Sequence, residues 1–424
     1  MRDRIGSSFA RQAIATVLGI ILTNSAVRAA GFVTPQEMQY KEQWAKENLL
    51  NLKARMPFSF TYGRQPSDEL LIAWPKKNEK KQLDQNRTQY TTIWMDVKTG
   101  LEIKCVAVDY NDFPAIEWTV YFKNTGKANT PILKKIQGLD ATFRQDNTGE
   151  FILNGIKGDW TVAESFQPYQ IALGANTVQK FTPSNHLGKS TSGPEGWPYF
   201  NLQIPGGGVL IAVGWPGQWA SSFTRNASTG LRVKAGQELT NLYLKPGEEI
   251  RTPLIAMVFW RGTDVVRAQN LWRRWYIAHT LPRIEGTPQA PVTHIQAVEI
   301  PVANSYLQTG IKPDICWQDA NWYPSGNGPY KGGEAWLNTG TWEVDPTRYS
   351  NGFKPFSDWI HARGLKFLLW FEPERVGDPN SWLAKNHPEW LLHPGSAGLI
   401  LNEGNPAALN WLIDHVDGMI KSQG

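Results

Sequence analysis

Cysteine is scarce in this chain, which has only two cysteines, Cys105 and Cys316, among 424 residues. Because they stand far apart, in segments that are predicted below to be different domains, two free buried thiols are favoured over a disulfide. The seven histidines are scattered along the chain. No cysteines and histidines share the short spacing of zinc ligands, and we therefore expect no metal site.

Long apolar runs are also missing. The most apolar stretch near the N-terminus, AIATVLGIILT at 13–23, is too short to span a bilayer. Hydrophobic residues make up 41% of the chain and charged residues 19%, proportions that exclude a disordered chain and an integral membrane protein. The net charge of +5 is only a mild basic excess. Its densest run, KKNEKK at 76–81, is predicted to be a solvated loop rather than a polyanion site, so no nucleic-acid partner is expected.

Residues 1–29 have the pattern of a secretory signal peptide. MRDR and Arg11 are basic, the apolar run follows, and SAVRAA then supplies small residues for cleavage after Ala29. An uncleaved membrane anchor is the alternative. The pattern predicts a secreted or periplasmic protein that begins near Ala30 and has no membrane partner after cleavage.

Tryptophan, by contrast, is abundant, with 20 residues. Its flat apolar ring with a single polar N–H suits the C–H faces of sugar rings. Large β-sheet cores also use tryptophan, and the composition alone leaves both explanations open.

The segment from 57 to about 260 is predicted to be a large antiparallel β-sandwich. Stretches such as IEWTVYFKNTG alternate apolar and polar residues, and Gly/Pro turns separate them at regular spacing. Before this segment, Thr34 and Glu37 form a capping box that opens a helix reaching to about Leu52. The GGG at 206–208 is predicted to be a turn, because no helix follows it to complete a phosphate site.

Beyond a Pro- and Gly-rich linker the pattern changes to alternating strands and helices, which indicates a parallel sheet. We predict strands at 314–323 and 366–371, the second of them buried, and helices at 353–364 and 405–424. The predicted domains, in chain order, are a sandwich with its leading helix (30–272), a linker (273–293) and an α/β domain (294–424).

Charged and aromatic residues occupy the carboxyl ends of the two predicted strands. Asp319 ends the first strand, and the second ends in Trp370, Glu372, Glu374 and Arg375. Since parallel strands present their carboxyl ends at one edge of the sheet, these side chains are expected to share a face. Paired carboxylates beside tryptophan fit the hydrolysis of a glycosidic bond. The alternative is that Glu372 and Glu374 pair with Arg375 and other basic groups at the rim.

Three stretches of the second half closely resemble the α-galactosidases of glycoside hydrolase family 36, also called melibiases. These stretches are DANWY, TGTWEVDPTRYSNGFKPFSDWIHARGLKFLLWFEPERV and NHPEWLL. The first half of the chain resembles the same family in the stretches CVAVDYNDFPAIEWTVYFKNTG, VGWPGQWA and LKPGEEIRTPLIAMVFWRGTDVVRAQNLWRRW. The resemblance runs from about Phe58 to the last residue, and its long central block is very specific.

The resemblance implies an N-terminal antiparallel β-supersandwich followed by the first part of a (β/α)8 TIM barrel. It also implies retaining hydrolysis of terminal α-galactosyl residues, with a small-molecule or oligosaccharide α-galactoside as partner and neither cofactor nor metal. Asp319 is expected to bind sugar hydroxyls through charge-assisted hydrogen bonds, Trp370 to pack on the sugar ring and Trp342 to border the pocket. Whether the protein forms a homo-oligomer is left open.

The sequence departs from the family pattern at three places. Ala320 stands where the family has the second of two aspartates, which removes one acceptor for sugar hydroxyls. Only a short segment separates the linker from the strand at Ile315, tight for a first strand and helix, and a tryptophan that many relatives carry there is missing. The family's nucleophile and acid/base, both aspartates, are expected beyond Gly424, so the resemblance assigns no catalytic residue within the chain.

Three alternative functions stay open. One is a non-catalytic carbohydrate-binding protein built on the same fold. Another is an enzyme that uses Asp319 and Glu372 as an acid pair of its own. The third is a sandwich scaffold without affinity for sugars.

Overall fold

The computed structural model divides the chain into two compact units, the first ending at Arg283 and the second beginning at Ile284. We call them the sandwich unit and the α/β unit. The described residues are 32–50, 55–145, 149–184, 190–324, 338–393 and 398–424. The predicted signal peptide, 1–29, lies outside them, and the predicted domain and linker boundaries stay predictions. Within the described ranges, no helix is both long and apolar enough to cross a bilayer.

The first helix begins at the predicted capping box. The Glu37 N–H donates to the Thr34 hydroxyl, and the Thr34 N–H donates to the Glu37 carboxylate at 2.8 Å. Short π-helical turns extend two of the helices, and all bounds follow in chain order. The helices are α1 (Pro35–Ala45, continued by Lys46–Leu50), α2 (Ser67–Ala73), α3 (Val265–Trp275, continued by Tyr276–Thr280), α4 (Ile300–Gln308), α5 (Lys354–His361), α6 (Trp382–Asn386, followed by a 3-10 turn at Pro388–Trp390) and α7 (Pro406–Gln423).

Glu37 also ties α1 to α3. Its side chain is 0% exposed, and its carboxylate accepts hydrogen bonds from the Arg267 Nε and Nη2 atoms at 2.7 and 2.8 Å. A buried carboxylate needs such a partner, because removing an ion from water is otherwise costly. Burial alone would raise the pKa of Glu37, but the hydrogen bonds from Arg267 and Thr34 hold this pKa below its usual range. The ion pair therefore joins segments that are far apart in the sequence.

Antiparallel strands make up most of the sandwich unit. In chain order they are β1 (Ser59–Tyr62), β2 (Gln65–Pro66), β3 (Lys76–Gln82), β4 (Arg87–Asp96), β5 (Leu101–Tyr110), β6 (Ala115–Asn124), β7 (Leu133–Gln137), β8 (Leu139–Arg144), β9 (Phe151–Ile156), β10 (Pro168–Leu173), β11 (Val178–Phe181), β12 (Tyr199–Ile204), β13 (Gly207–Gly214), β14 (Trp219–Arg225), β15 (Gly230–Gln237), β16 (Asn241–Leu242), β17 (Glu249–Arg251) and β18 (Leu254–Arg261). A ten-stranded sheet has the order β10-β9-β12-β13-β18-β6-β5-β4-β3, with β17 beside β6. Two four-stranded sheets have the orders β16-β7-β1-β2 and β11-β14-β15-β8.

One hydrophobic core connects these sheets. Along β5, the alternate residues Leu101, Ile103 and Cys105 are buried, because successive side chains of a strand point to opposite faces. Phe223 and Val233, which lie in one of the four-stranded sheets, belong to the same buried cluster. The alternating sequence pattern thus predicted this part of the fold correctly, as antiparallel sheets that share a core.

Both cysteines are free and buried, as the sequence predicted. Burial raises the pKa of the Cys105 thiol to about 12. Because the thiolate is the reactive form of cysteine, Cys105 has a packing role rather than a chemical one.

Two glycines with positive φ close hairpins of the ten-stranded sheet. Gly100, with φ of +81°, closes the hairpin of β4 and β5, and Gly206, with φ of +82°, closes the two-residue turn between β12 and β13. Positive φ is the region that glycine enters without steric cost. The GGG at 206–208 is therefore a hairpin turn, followed by a strand rather than by a helix.

The prediction of a loop at 76–81 is wrong. This run belongs to β3, which pairs with β4 and whose residues are all exposed. A strand with both faces in solvent has no apolar alternation, so its sequence carries no strand pattern. Lysines on an outermost strand hinder its edge from pairing with another chain, which gives the basic run a structural role.

The α/β unit contains the predicted parallel sheet. Its strands follow a small two-stranded sheet of β19 (Arg283–Ile284) and β20 (Thr287–Pro288), and they are β21 (His294–Gln296), β22 (Ile315–Gln318) and β23 (Lys366–Leu369). β21 pairs with β22 and β22 with β23, both in parallel. A short first strand and helix, β21 and α4, do fit between the linker and Ile315. A second, antiparallel sheet in the order β24-β26-β25 contains β24 (Arg375–Val376), β25 (Leu391–Leu392) and β26 (Leu399–Leu401).

The strand predicted at 366–371 is shorter and more exposed than expected. β23 ends at Leu369, and Leu368 is 42% exposed. In the described sheet β23 is the last strand, with β22 as its neighbour. An apolar run predicts burial, but burial also requires covering elements that the run itself does not specify. The strand predicted at 314–323 is shorter too, and ends at Gln318.

Candidate functional site

Asp319 and Trp370 lie at adjoining ends of two parallel strands. Gln318 and Leu369 are register partners in β22 and β23, and the Trp370 N–H donates to the Gln318 carbonyl oxygen at 3.0 Å. Asp319 and Trp370 follow Gln318 and Leu369 in the sequence, and they are therefore neighbours at this end of the two strands. The structure brings these two predicted residues together at the carboxyl edge of the sheet, where parallel folds place their functional groups.

Asp319 is half-buried and oriented by the chain that follows it. Its Oδ1 atom accepts the N–H of Ala320 at 2.7 Å, and the Gln318 side-chain amide donates to the Asp319 carbonyl oxygen at 3.0 Å. An aspartate held by its own turn is pre-oriented, so less rotamer entropy is lost when its carboxylate accepts further hydrogen bonds.

The two predicted tryptophans contact each other, but they differ in exposure. Trp342 is only 1% exposed, whereas Trp370 is half-buried, and their ring centroids are 5.8 Å apart in an edge-to-face arrangement. Trp342 has a φ of +63°, and its carbonyl oxygen lies 3.0 Å from Nε2 of His415, a residue of α7. Trp342 thus supports Trp370 from within the unit, and Trp370 is the residue of this pair that keeps contact with solvent.

An aromatic cluster surrounds these tryptophans. Trp322, Tyr323 and Phe353 are buried in it together with Trp342. The Trp322 indole N–H donates to the Trp370 carbonyl oxygen at 2.9 Å. Since aromatic rings in close contact have few alternative packings, the cluster fixes the backbone from which Trp370 projects.

The charged FEPER stretch is a turn closed by an ion pair. The Arg375 Nε atom lies 2.8 Å from the Glu372 carboxylate, and the Arg375 N–H donates to the Glu372 carbonyl oxygen at 3.1 Å. Glu374 is exposed, and its carbonyl oxygen accepts the N–H of Leu401 in β26 at 2.8 Å. For Glu372 and Arg375 this geometry is the rim pairing that the sequence left as an alternative to a catalytic role.

Tyr323 is a neighbour of the site that the sequence pattern did not single out. Burial raises its pKa to about 12, and the negative charges of Glu372 and Asp319 contribute to this shift. A tyrosine inside an aromatic motif gives no sequence signal for such a position.

Arg348 is a second contributor that the sequence pattern missed. It pairs with Asp345 at 2.6 Å and donates to the carbonyl oxygens of Asn321 and Tyr323 at 2.5 and 2.8 Å. Asn321 has a φ of +78°, a conformation that ordinary side chains rarely adopt. Arg348 therefore holds the chain just after Asp319 in this conformation. The spacing of Asp345 and Arg348 could have suggested their ion pair, but not the contacts to distant carbonyl groups.

The sequence profile of the melibiase family matches residues 326–423. That range includes Trp342, Trp370 and the FEPER turn. This match agrees with the resemblance of the sequence to glycoside hydrolase family 36.

Individual proteins named alpha-galactosidases are similar to this chain over most of its length. The alpha-galactosidase 2 of Hypocrea jecorina is 27% identical over 359 residues, which are 75% of this chain and 45% of that protein. The alpha-galactosidase of Lactobacillus brevis superposes with a TM-score of 0.66 at 18% identity, covering 88% of this chain and 52% of the other. A variant of the GH36 alpha-galactosidase AgaA from Geobacillus stearothermophilus, in complex with raffinose, superposes with a TM-score of 0.64 at 17% identity, covering 87% and 53%. The structural likeness shows that the fold is shared, and the chain spans about half the length of these relatives.

Proposed function

We propose that this chain carries the sugar-recognition elements of an α-galactosidase that hydrolyses terminal α-galactosyl residues with retention. The observation that carries the proposal is the placement of Asp319 beside Trp370 at one strand edge, in a chain whose residues 326–423 match the melibiase family profile. An ionised carboxylate binds sugar hydroxyls strongly, and an exposed indole face suits the apolar side of a galactose ring. With Ala320 next to Asp319, the site has one acceptor fewer than the family pattern.

The architecture proposed for this function is that of the family. The sandwich unit corresponds to the N-terminal β-supersandwich, and β21, β22 and β23 with their intervening helices correspond to the first part of a (β/α)8 barrel. Three parallel strands with alternating helices support this correspondence. Active sites of such barrels lie at the carboxyl ends of the strands, where Asp319 and Trp370 lie.

The chemistry itself needs two carboxylates, one on each side of the glycosidic bond. We propose a division of roles in which the described residues bind and orient the sugar and neither of the two carboxylates is assigned to them. The ion pair of Glu372 with Arg375 supports this division, because a carboxylate committed to a guanidinium is a poor nucleophile. The substrate class is an oligosaccharide with a terminal α-galactose, such as the raffinose bound by the AgaA variant.

Substitution of Asp319 by alanine is expected to weaken raffinose binding by about 10- to 150-fold. This range corresponds to about 1.5–3 kcal/mol for a hydrogen bond to a charged group. Isothermal titration calorimetry of the purified chain with raffinose measures the change. Asp358→Ala is the matched control, since Asp358 is an exposed residue of α5. Equal affinities of the Asp319 variant and the unaltered chain would remove Asp319 from the site.

We further propose that the protein is exported, on the strength of the basic, apolar and small-residue order of its N-terminus. N-terminal sequencing of the protein from its native host is expected to find a mature chain that begins near Ala30. A protein that still begins with Met1 would contradict the proposal.

A further inference from the structure

A groove of about 690 Å³ lies on the sandwich unit where the edge of the ten-stranded sheet meets α3. Residues of β9, β10, β12 and α3 line it. Among its described lining residues there is no aspartate, glutamate, lysine or arginine. Its polar lining residues are Asn154, Gln170, Asn201, Gln269, Tyr169 and Tyr199.

Two aromatic residues, Trp197 and Tyr199, form an apolar part of the lining of this groove. The rings of Trp197 and Tyr199 are 5.7 Å apart, and both residues are half-buried, so part of their surface faces solvent. Phe166 contacts Trp197 edge-on at 5.7 Å, and Trp272 contacts Tyr199 edge-on at 5.4 Å. Each ring is therefore held in place by a neighbouring ring, and little conformational entropy is lost when a ligand packs on it.

The polar side chains of the groove are also pre-oriented. Asn154 accepts a hydrogen bond from the Gln170 amide at 2.8 Å, across the paired strands β9 and β10. The Tyr169 hydroxyl is buried and has no hydrogen-bond partner among the described residues. It lies against Gly155, where an added Cβ would stand only 2.4 Å from it.

The absence of charged side chains among the described lining residues of the groove limits the classes of ligand that it can bind. A second groove on the same unit, of about 610 Å³, is by contrast lined by charged side chains of both signs, namely Arg55, Arg144, Arg232, Arg261, Glu47 and Asp140. The first groove, which we call the amide-lined groove, has no charged side chain among its described lining residues to bind a phosphate or carboxylate. A purely apolar ligand would leave its amides and hydroxyls without hydrogen-bond partners. Exposed aromatic faces combined with neutral donors and acceptors match a ligand with C–H faces and many hydroxyl groups.

We propose that the amide-lined groove binds a neutral oligosaccharide, as a sugar site in addition to the one at Asp319. Its ring face packs on Trp197 and Tyr199, and its hydroxyls bond to the amides of Asn154 and Gln170. The described lining residues include no carboxylate, so this groove binds sugar and does not cleave it. The inference does not depend on the proposed hydrolase function, because none of its residues belongs to the α/β unit.

The test titrates the 424-residue chain carrying Asp319→Ala, so that the other site is silenced, with raffinose, maltohexaose, cellohexaose and xylohexaose in separate experiments. Ligand-observed saturation-transfer NMR and calorimetry are expected to detect binding of at least one of them. Trp197→Ala in the same background should weaken that binding by about tenfold or more, the effect of losing one aromatic contact. Trp160→Ala, which removes a half-buried tryptophan of the same unit outside the groove, should leave it unchanged.

A milder variant keeps the proposal testable if Trp197→Ala does not fold. Gln170→Ala removes an exposed amide of the groove and is expected to weaken binding by about three- to tenfold. No binding of any of the four sugars, or binding that neither groove variant reduces, would overturn the proposal. Binding of glucose 6-phosphate in the groove as tight as that of the neutral sugars would overturn the assignment of ligand class. Either result leaves the Asp319 titration with raffinose, and hence the proposed function, to be judged separately.

Discussion

Replacement of Glu37 by alanine is expected to lower the free energy of unfolding of the sandwich unit by about 3–5 kcal/mol. The variant leaves the Arg267 guanidinium, whose side chain is 14% exposed, without the carboxylate that now accepts two of its hydrogen bonds. It also removes one half of the capping box at Thr34. Chemical unfolding, monitored by hydrogen exchange of peptides from the sandwich unit, measures the loss of unfolding free energy.

Glu42→Ala is the control for this prediction, because Glu42 lies on the same helix and is exposed. We expect it to change stability by no more than about 0.5 kcal/mol. The pH dependence gives a second readout. Since the pKa of folded Glu37 is depressed, its contribution is fully present above the unfolded value of about 4.3 and is lost as pH falls through the lower folded pKa. Glu37→Gln should therefore flatten the loss of stability below about pH 4, and an acid limb identical to that of the unaltered chain would contradict this role.

Replacement of Trp322 by alanine is expected to destabilise the α/β unit by about 3–5 kcal/mol. Trp322 is 0% exposed, and its ring contacts those of Phe371, Tyr323 and Trp342 at centroid distances of 5.1, 5.5 and 6.0 Å. The variant opens a cavity in this cluster and removes the N–H donor of the Trp370 carbonyl oxygen. Faster hydrogen exchange in peptides that contain β22 and β23 would report the loss.

Two further variants test this interpretation. Trp382→Ala removes a tryptophan of α6 that is 45% exposed, and it should cost less than half as much. Trp322→Phe keeps a ring in the cluster but no N–H, so its stability should lie between those of the alanine variant and the unaltered chain. Because Trp322 positions the backbone of Trp370, the alanine variant should also weaken raffinose binding. A stable variant with unchanged exchange and binding would show that the cluster does not support the site.

Local sequence patterns predicted those parts of the fold that depend on local rules. The capping box of Thr34 and Glu37 and the hairpin turn at Gly206 each follow from a few consecutive residues. Alternation of apolar residues predicted antiparallel strands, and β5 illustrates the reason, because one face of that strand is buried and the other is not. β3 was not predicted, because neither of its faces is buried and its sequence therefore has no apolar alternation.

The candidate site was predictable only in outline. That Asp319 and Trp370 come together follows from the rule that parallel strands share a carboxyl edge, once both strands are assigned. The burial of Trp342 behind Trp370 depends on the position of residues 338–353, whose sequence has no periodic pattern. The contacts of Arg348 with the Asn321 and Tyr323 carbonyl groups depend on the same residues and could not be predicted either.

The most direct test of the sugar site is a crystal structure of the chain with raffinose bound. We expect the galactosyl ring to lie on the exposed face of Trp370, with at least one of its hydroxyls within hydrogen-bond distance of the Asp319 carboxylate. Trp342 should stay in place behind Trp370, and Glu372 should stay paired with Arg375. A strand edge at Asp319 and Trp370 that remains empty at saturating raffinose, or a galactosyl ring that contacts neither residue, would contradict the assignment of this site.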